Sequence, residues 1–222
     1  MRTLYHHTLS PHARKVRLAL HEKHLSFDER IADPWQRDPA LITLNPAGEV
    51  PVLVEDDSHV IADATTICEY LEDAYPENSL LGAAALERAE ARRLAAWFDH
   101  KFMREVSDHL VGEKLIKRVM SRAAPDSRAL KAGRENLHTH LQYIAWLIER
   151  RRWLAGDHLT FADLSAAAQL SLLDYIGDVP WDDQPLAKEW YVRMKSRPSF
   201  RCLLRDTVPG VPPAPIYADL DF

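Results

Sequence analysis

The stretch NPAGEVPVLVEDDSHVIADATTICEYLED, residues 45–73, contains two short strand-like runs followed by a helical pattern. The runs Val52–Glu55 and His59–Ala62 are typical of strands, and the polar residues 56–58 between them predict a tight turn. Asp63 then supplies the kind of carboxylate that commonly caps the N-terminus of a helix. The stretch therefore predicts a β-hairpin that leads directly into a helix.

The residues before this stretch alternate between strand and helix signals. Residues 3–7 and 26–31 are short strand-like runs, and Ser10 followed by Pro11 marks the start of a helix between them. That helix is predicted to be amphipathic. Its apolar residues and its cations are Val16, Leu18, Ala19, Leu20, Arg14, Lys15, Arg17 and Lys23. A helix between two strands predicts a crossover unit, and the following hairpin makes the sheet mixed.

The chain beyond Pro76 carries helical patterns only. Apolar residues recur there at three- and four-residue steps, which is typical of the buried faces of long helices. Thr160 and Asp163 have the spacing of a reciprocal capping box at a helix start. The predicted helices cover residues 91–106, residues 130–148, a segment that begins at Thr160, and residues 186–195. The predicted divisions are an α/β domain at 1–78, an all-helical domain at 84–205 and a tail at 206–222.

The composition excludes several classes of protein. A net charge of −5 gives no general attraction to nucleic acid. No run approaches the roughly 18 consecutive apolar residues that span a bilayer, so no membrane insertion is predicted. Cys68 and Cys202 are far apart and the N-terminus lacks a signal-peptide core, which together predict reduced thiols in a cytoplasmic protein.

Four motifs occur in the order that is typical of one known family. Residues 10–23 (SPHARKVRLALHEK), the stretch 45–73, residues 154–165 (LAGDHLTFADLS) and residues 189–200 (EWYVRMKSRPSF) resemble the successive landmarks of the glutathione transferase superfamily. The resemblance spans residues 1–205. It implies a thioredoxin-like N-terminal domain, a helical C-terminal domain and a homodimer.

The resemblance also implies where glutathione would bind. Ser10 lies where many members keep a catalytic serine or cysteine, and its alternative role is to cap the helix that begins at Pro11. Val50 and Pro51 match the family's cis-proline turn, which the fold itself also requires. The family's acidic-hydroxyl pair is replaced by Asp63 and Ala64, and a lost hydrogen bond to a carboxylate costs about 1.5–3 kcal/mol. Glutathione binding is therefore expected to be weakened, and no other cofactor is predicted.

Histidines are the remaining candidates for a metal or catalytic site. His6, His7 and His12 lie close in sequence, and His21 and His24 are nearly one helical turn apart. Neither group has a cysteine or carboxylate at a recognised ligand spacing. We predict surface histidines and no metal.

Trp35 lies in a loop, residues 33–39, that is bounded by Asp-Pro pairs on both sides. This position favours exposure, and exposed tryptophans frequently anchor protein interfaces. The alternative is that the ring packs over its own domain.

The C-terminal tail is the second candidate for contact with a partner. Four prolines within residues 208–215 favour an extended polyproline II segment of roughly 25 Å. The last seven residues, 216–222, then alternate apolar and acidic side chains, as in segments that dock in a groove. They dock either on their own domain or on a partner. The candidate contact residues are Tyr217, Asp219, Leu220, Asp221 and Phe222.

The Trp35 loop, the Asp63–Ala64 replacement and the ending PIYADLDF together resemble one subgroup of the superfamily, which comprises bacterial division proteins that bind the polymer-forming GTPase FtsZ. The resemblance implies a non-enzymatic homodimer that binds FtsZ filaments at the division site and regulates their architecture. The alternatives are a catalytic glutathione transferase that uses Ser10 to activate the thiol, and an adaptor for another protein partner.

Overall fold

The computed structural model describes residues 1–56, 58–121 and 123–220, so the predicted contact residues Asp221 and Phe222 lie outside the described part. The N-terminal domain is built on a sheet of four strands in the order β2-β1-β3-β4. β1 is parallel to β2, while β3 is antiparallel to both β1 and β4, so the sheet is mixed as predicted. The strands are β1 (Thr3–His6), β2 (Asp28–Ile31), β3 (Val52–Glu55) and β4 (His59–Ala62).

Three helices cover this sheet. The crossover helix between β1 and β2 and the helix after the hairpin both lie where the sequence predicts them. The strand predicted for residues 26–31 begins two residues later, at Asp28. The helices are α1 (Pro11–Glu22), α2 (Pro39–Leu44) and α3 (Ala64–Ala74).

The C-terminal domain is all-helical in the residues described. Its first helix continues without a break to residue 121 because α4, α5 and α6 are joined by wide, π-type turns at Trp97–Ser107 and Gly112–Ile116. The helices are α4 (Ala85–Ala96), α5 (Asp108–Val111), α6 (Lys117–Ser121), α7 (Ser127–Ile148), α8 (Phe161–Tyr175), α9 (Pro185–Lys195) and α10 (Arg201–Leu204). None of the described helices combines the length and the apolar composition that a membrane span needs.

Helix α8 is the centre of the molecule, and all of its residues are buried. Its start is fixed by the predicted capping box, in which Asp163 accepts hydrogen bonds from the N–H and the hydroxyl of Thr160. The same carboxylate accepts from the N–H of Leu154 at 3.0 Å and from the indole of Trp190 at 2.9 Å. One buried carboxylate thus joins the start of α8 to the preceding loop and to α9.

The charged side of α1 is not exposed to solvent, which corrects the expectation for an amphipathic surface helix. Arg14, Lys15 and Arg17 are all at least 97% buried. The sheet covers one side of α1, and the helical domain covers the other. Helical periodicity shows that a helix has a charged side, but it does not show that a second domain meets that side with carboxylates.

Asp206 is the carboxylate that meets two of these cations. Its Oδ2 accepts a hydrogen bond from Arg17 Nη1 at 2.7 Å and lies 3.3 Å from Arg14 Nη2. Arg14 also donates to Ser171 of α8 at 2.8 Å. All four side chains are buried, and they join α1 to the helical domain and to the first residue of the tail.

We expect Asp206→Ala to destabilise the protein strongly. The substitution leaves the guanidinium groups of Arg14 and Arg17 buried without their shared counter-charge, and removing one partner of a buried ion pair typically costs about 3–5 kcal/mol. Urea unfolding followed by circular dichroism measures the loss.

The control is Asp157→Ala, which removes an exposed carboxylate. Surface substitutions of this kind usually change the free energy of unfolding by less than about 0.5 kcal/mol. Equal losses in the two variants would contradict the assigned role of Asp206.

A second ion pair joins the domains at the end of α1. Glu22 Oε1 accepts from the Nε of Arg197 at 2.5 Å and from the Ser199 hydroxyl at 2.5 Å, and Oε2 accepts from Arg197 Nη2 at 2.7 Å. Burial alone would raise the pKa of Glu22, but Arg197 and Ser199 outweigh burial and lower it. Glu22 therefore stabilises the folded state in its ionised form.

This lowered pKa predicts a pH dependence. Ionised Glu22 stabilises the fold fully above the pKa of 4.5 that it has in the unfolded chain. This stabilisation is lost as the pH falls through the lower pKa of Glu22 in the folded protein. The difference in unfolding free energy between the wild type and Glu22→Gln should therefore be largest near pH 7 and shrink below about pH 4.5. Urea titrations of both proteins at several pH values measure this difference, and a constant difference would contradict the prediction.

Candidate functional site

Ser10 caps α1. Its hydroxyl oxygen accepts a hydrogen bond from the N–H of Ala13 at 3.2 Å, and Pro11 occupies the first turn. Both roles predicted for Ser10 stay compatible with this geometry, because an accepting hydroxyl still has its own proton to donate. The capping role is filled in the structure itself.

The turn before β3 contains a cis peptide bond between Val50 and Pro51, as the resemblance implies. Both residues are buried. Asp63 follows β4 with φ of +77°, a left-handed conformation that is rare outside glycine. Strained residues of this kind cluster at binding sites, and a retained strain is compatible with a site inherited from a glutathione-binding ancestor.

The head of α3 is where the resemblance places the γ-glutamyl end of glutathione. Asp63 Oδ1 accepts from the N–H of Thr66 at 2.9 Å and lies 3.3 Å from its hydroxyl. Asp63 is exposed and Ala64 is buried. The head of α3 thus offers an exposed carboxylate to a ligand, and the methyl of Ala64 replaces the hydroxyl that would hold a ligand carboxylate.

A buried ion pair lies beneath this site, between α1 and the long helix of the C-terminal domain. Lys15 Nζ donates to Asp99 Oδ2 at 2.6 Å, and both side chains are at least 95% buried. Burial would lower the pKa of Lys15, but the carboxylate of Asp99 outweighs burial and raises it. A cavity of about 200 Å³ adjoins the pair and is lined by Thr65, Cys68 and His100 among others. The wall of the cavity therefore includes the charged side chains of Lys15 and Asp99.

Neither cysteine has the properties of a reactive thiol. Burial raises the pKa of Cys68 to about 12 and that of Cys202 to about 11. The thiolate is the nucleophilic form, so both side chains are protonated near neutral pH. Both thiols are free in the structure.

One of the predicted surface histidines is buried. His6, on β1, is 1% exposed, and burial lowers its pKa to about 4. Its Nε2 lies 3.5 Å from Glu29 of β2. Strand alternation directs His6 inward, and neither of its buried ring nitrogens makes a hydrogen bond to a residue that the structure describes. Among the residues that the structure describes, no group of three possible ligands could hold a metal ion.

Trp35 is half-buried rather than fully exposed. Its ring meets the ring of His7 edge to face, with centroids 4.8 Å apart, and the backbone N–H of Trp35 donates to Asp33 Oδ1 at 2.8 Å. The indole thus has one face against its own domain and one part open to solvent. The packing alternative is thus met in part, and the role of Trp35 in contact with a partner stays a prediction.

The tail folds back on the helical domain, so the expectation of an extended segment over residues 208–215 is wrong. Val208 and Val211 pair across a turn that contains Gly210 at φ of +74°. The Tyr175 hydroxyl accepts from the N–H of Val208 at 3.0 Å and donates to the Val211 carbonyl at 2.7 Å. Prolines restrict the backbone conformation locally, but the hydrogen bonds to Tyr175 of α8 determine the path of the tail.

Tyr217 anchors the end of the tail and is 1% exposed. Its hydroxyl donates to the Leu203 carbonyl at 2.8 Å and accepts from Arg14 Nη1 at 3.3 Å. Its ring packs edge to face on Tyr175 at 5.0 Å. Because the side chain is enclosed by its own protein, Tyr217 positions the tail and does not itself face a partner, which corrects the sequence-based candidate list.

The residues around Tyr217 face outward. Ile216 and Leu220 are 37% and 41% exposed. Ile216 and Asp219 line an open surface cavity of about 440 Å³ together with the Trp181–Asp183 turn. The tail therefore carries exposed apolar and acidic groups to an area that is already acidic.

Two features around the tail could not be predicted from the sequence. The acidic turn at Asp182 and Asp183 has no motif, and only the fold brings it to the tail. The link between Arg14 and Tyr217 joins residues 203 positions apart. The available signal was an aromatic residue within the apolar-acidic ending, since a buried aromatic ring is a common anchor.

Comparison with known proteins agrees with the two-domain architecture. The model of the glutathione S-transferase N-terminal domain matches residues 4–79, and the model of the C-terminal domain matches residues 107–198.

Three relatives match the whole chain. FtsZ-localized protein A of Caulobacter vibrioides strain NA1000 / CB15N is 50% identical over 224 residues, covering 100% of this chain and 98% of the relative. A crystal structure of a glutathione S-transferase from Rhodospirillum rubrum F11 has 63% identity and a TM-score of 0.98, with 100% of both chains covered. The structure of FzlA from C. crescentus has 49% identity and a TM-score of 0.97, covering 100% of this chain and 99% of that one. The chain belongs to the glutathione S-transferase family.

Proposed function

We propose that this chain is a non-enzymatic member of its family that binds FtsZ filaments and regulates their architecture at the bacterial division site. The observation that carries the proposal is the 50% identity to FtsZ-localized protein A over the full length of this chain. The likeness includes the tail, which lies beyond the region matched by the family's C-terminal domain model.

The geometry of the tail supports this proposal. A buried tyrosine and its hydrogen bonds fix the segment Pro215–Ala218 on the body, so the residues that follow leave from a defined point. Asp219 and Leu220 then alternate an acidic and an apolar side chain at the surface. An ordered tail binds with a smaller loss of conformational entropy than a free one, which favours affinity.

The Trp35 loop supplies the second proposed contact. The Trp35 ring packs on His7, and the carboxylate of Asp206 acts electrostatically on His7. Asp206 begins the tail and binds Arg14, which contacts Tyr217. Asp206 thus interacts with a residue beside Trp35 and with a residue beside the tail anchor, and we propose that the loop and the tail each contribute a contact.

The reduced site at the head of α3 supports a role without catalysis. Ala64 lacks the hydroxyl that would bond the γ-glutamyl carboxylate of glutathione, and loss of such a bond weakens affinity roughly ten- to a hundred-fold. The capping bond gives Ser10 a structural role that needs no ligand, although its hydroxyl proton stays available to a thiol.

A homodimer would make the proposed binding effective. Two copies of one surface, held in a fixed orientation, bind a repeating polymer with avidity and can join or bend neighbouring protofilaments. The dimer thus converts binding into control of filament architecture.

Co-sedimentation with FtsZ polymers tests the proposal. We expect the wild type to pellet under assembly conditions and to remain in solution without polymer. Removal of residues 219–222 should reduce pelleting while the melting temperature is unchanged, because Tyr217 is retained. Trp35→Ala should reduce pelleting by about ten-fold in apparent affinity, as is typical of an interface tryptophan.

The matched control for the tail compares Asp219→Lys with Asp157→Lys, since both reverse an exposed acidic charge. Only the first should weaken pelleting. Sedimentation equilibrium of each preparation checks the dimer. A folded wild type that stays in the supernatant with FtsZ polymers would refute the proposed function, and pull-down experiments would then search for another partner.

The catalytic alternative keeps one observation in its favour, because the Rhodospirillum rubrum relative bears the enzyme's name and Ser10 is present. Ser10→Asn separates the two roles of this residue, since asparagine caps a helix as well as serine does but has no hydroxyl. We expect glutathione conjugation of a chlorinated aromatic substrate to be at background in both proteins. A wild-type rate that falls at least ten-fold in Ser10→Asn, with unchanged stability, would favour the enzyme.

A further inference from the structure

A wide surface groove of about 920 Å³ lies beside the C-terminal half of α1. It is bounded by the end of α1 and the start of β2 on one side and by α10 on the other, so both domains form its walls. The glutathione site has no residue in it. Its central residues are Arg17, Phe27, Glu29, Arg201, Arg205 and Asp206.

The charges at the base of this groove cancel. Arg17 binds Glu29 through Nε at 2.8 Å and Asp206 through Nη1 at 2.7 Å. Arg14, directly behind the groove, is the second cation on Asp206. Two guanidinium groups therefore neutralise two carboxylates, and the base contributes no net charge.

The charges at the rim do not cancel. Arg201 and Arg205 lie one helical turn apart at α10, and both side chains are exposed. Neither guanidinium has a hydrogen bond or an ion pair to any residue within the described ranges 1–56, 58–121 and 123–220. The groove thus carries two free cations on a chain whose net charge is −5.

The groove also has an apolar side. Leu25 and Phe27 are half-buried beside it, and Pro198 closes its far end. His21 packs edge to face on Phe27 with ring centroids 5.1 Å apart. Burial lowers the pKa of His21, so the imidazole adds apolar area rather than charge near neutral pH.

We infer that this groove binds an acidic segment of the FtsZ polymer surface that also carries an apolar side chain, as a second contact distinct from the tail and Trp35. The inference rests on the proposed function. Carboxylates of the segment pair with the rim arginines, and the apolar side chain covers Phe27 and Leu25. Arginine forks bind carboxylates through two parallel hydrogen bonds, which fixes orientation as well as sign.

The tail and the groove carry charges of opposite sign, and this difference makes the assignment of a partner surface specific. The tail presents acidic groups and meets basic groups of a partner, while the groove presents arginines and meets acidic ones. A partner that satisfies both has to offer the two charges at a fixed separation. Complementary charges of this kind select a partner and its register more than they add affinity.

Pelleting of Arg201→Glu/Arg205→Glu with FtsZ polymers tests the inference. We expect each charge reversal to lower the apparent affinity roughly ten-fold, and the double variant about a hundred-fold. Wild-type binding should also weaken between about 50 and 300 mM salt more steeply than binding of the double variant, because screening removes an attraction that the variant lacks.

The matched control is Arg128→Glu/Lys131→Glu, which reverses two exposed cations one helical turn apart on α7. It makes the same change in net charge and should pellet like the wild type. Thermal melting of both double variants confirms that the substituted surfaces leave the fold intact.

The outcomes separate the two claims. A wild type that pellets, with equal pelleting by both double variants, overturns the groove and leaves the proposed function standing. Loss of pelleting in the α10 variant alone supports the groove. Absence of wild-type pelleting overturns the proposed function, and the groove inference falls with it.

Discussion

The buried carboxylate of Asp206 is the interaction on which the rest of the structure depends. It neutralises Arg14 and shares the neutralisation of Arg17 with Glu29 of β2. Without the carboxylate of Asp206, the helical domain would enclose Arg14 without a counter-charge and Arg17 with only one. The same residue begins the tail, so domain packing and tail placement share one electrostatic constraint. The Lys15–Asp99 pair repeats this arrangement nearer the glutathione site.

Most of the fold could be predicted from the sequence because its signals are local. The hairpin, the crossover helix and the capping box at Thr160 and Asp163 depend on residues a few positions apart, and all three are found. The solvent side of α1 could not be predicted, since its counter-charges come from distant parts of the chain. The prediction of an extended tail was wrong for a related reason. Prolines predict an extended chain, whereas the observed turn is held by the hydroxyl of Tyr175 on α8.

The sequence predicts which residues occupy the candidate site, but it does not predict how their side chains are arranged. The replacement at Asp63 and Ala64 is visible in the sequence, and the structure adds that the aspartate is strained and already bonded to Thr66. Tyr217 was predicted to contact a partner, and the structure instead buries its side chain. Burial is a property of the assembled molecule, so an apolar-acidic ending alone cannot tell an anchor from a contact residue.

The anchoring of Tyr217 has a mechanical consequence. A filament that bends or slides pulls on whatever is attached to it, and the tail would carry that load into the body. The load enters through hydrogen bonds to Leu203 and Arg14, at the seam between the two domains, and not through a surface loop. Tension on the tail would therefore reach both domains at once, because Leu203 lies on α10 and Arg14 lies on α1.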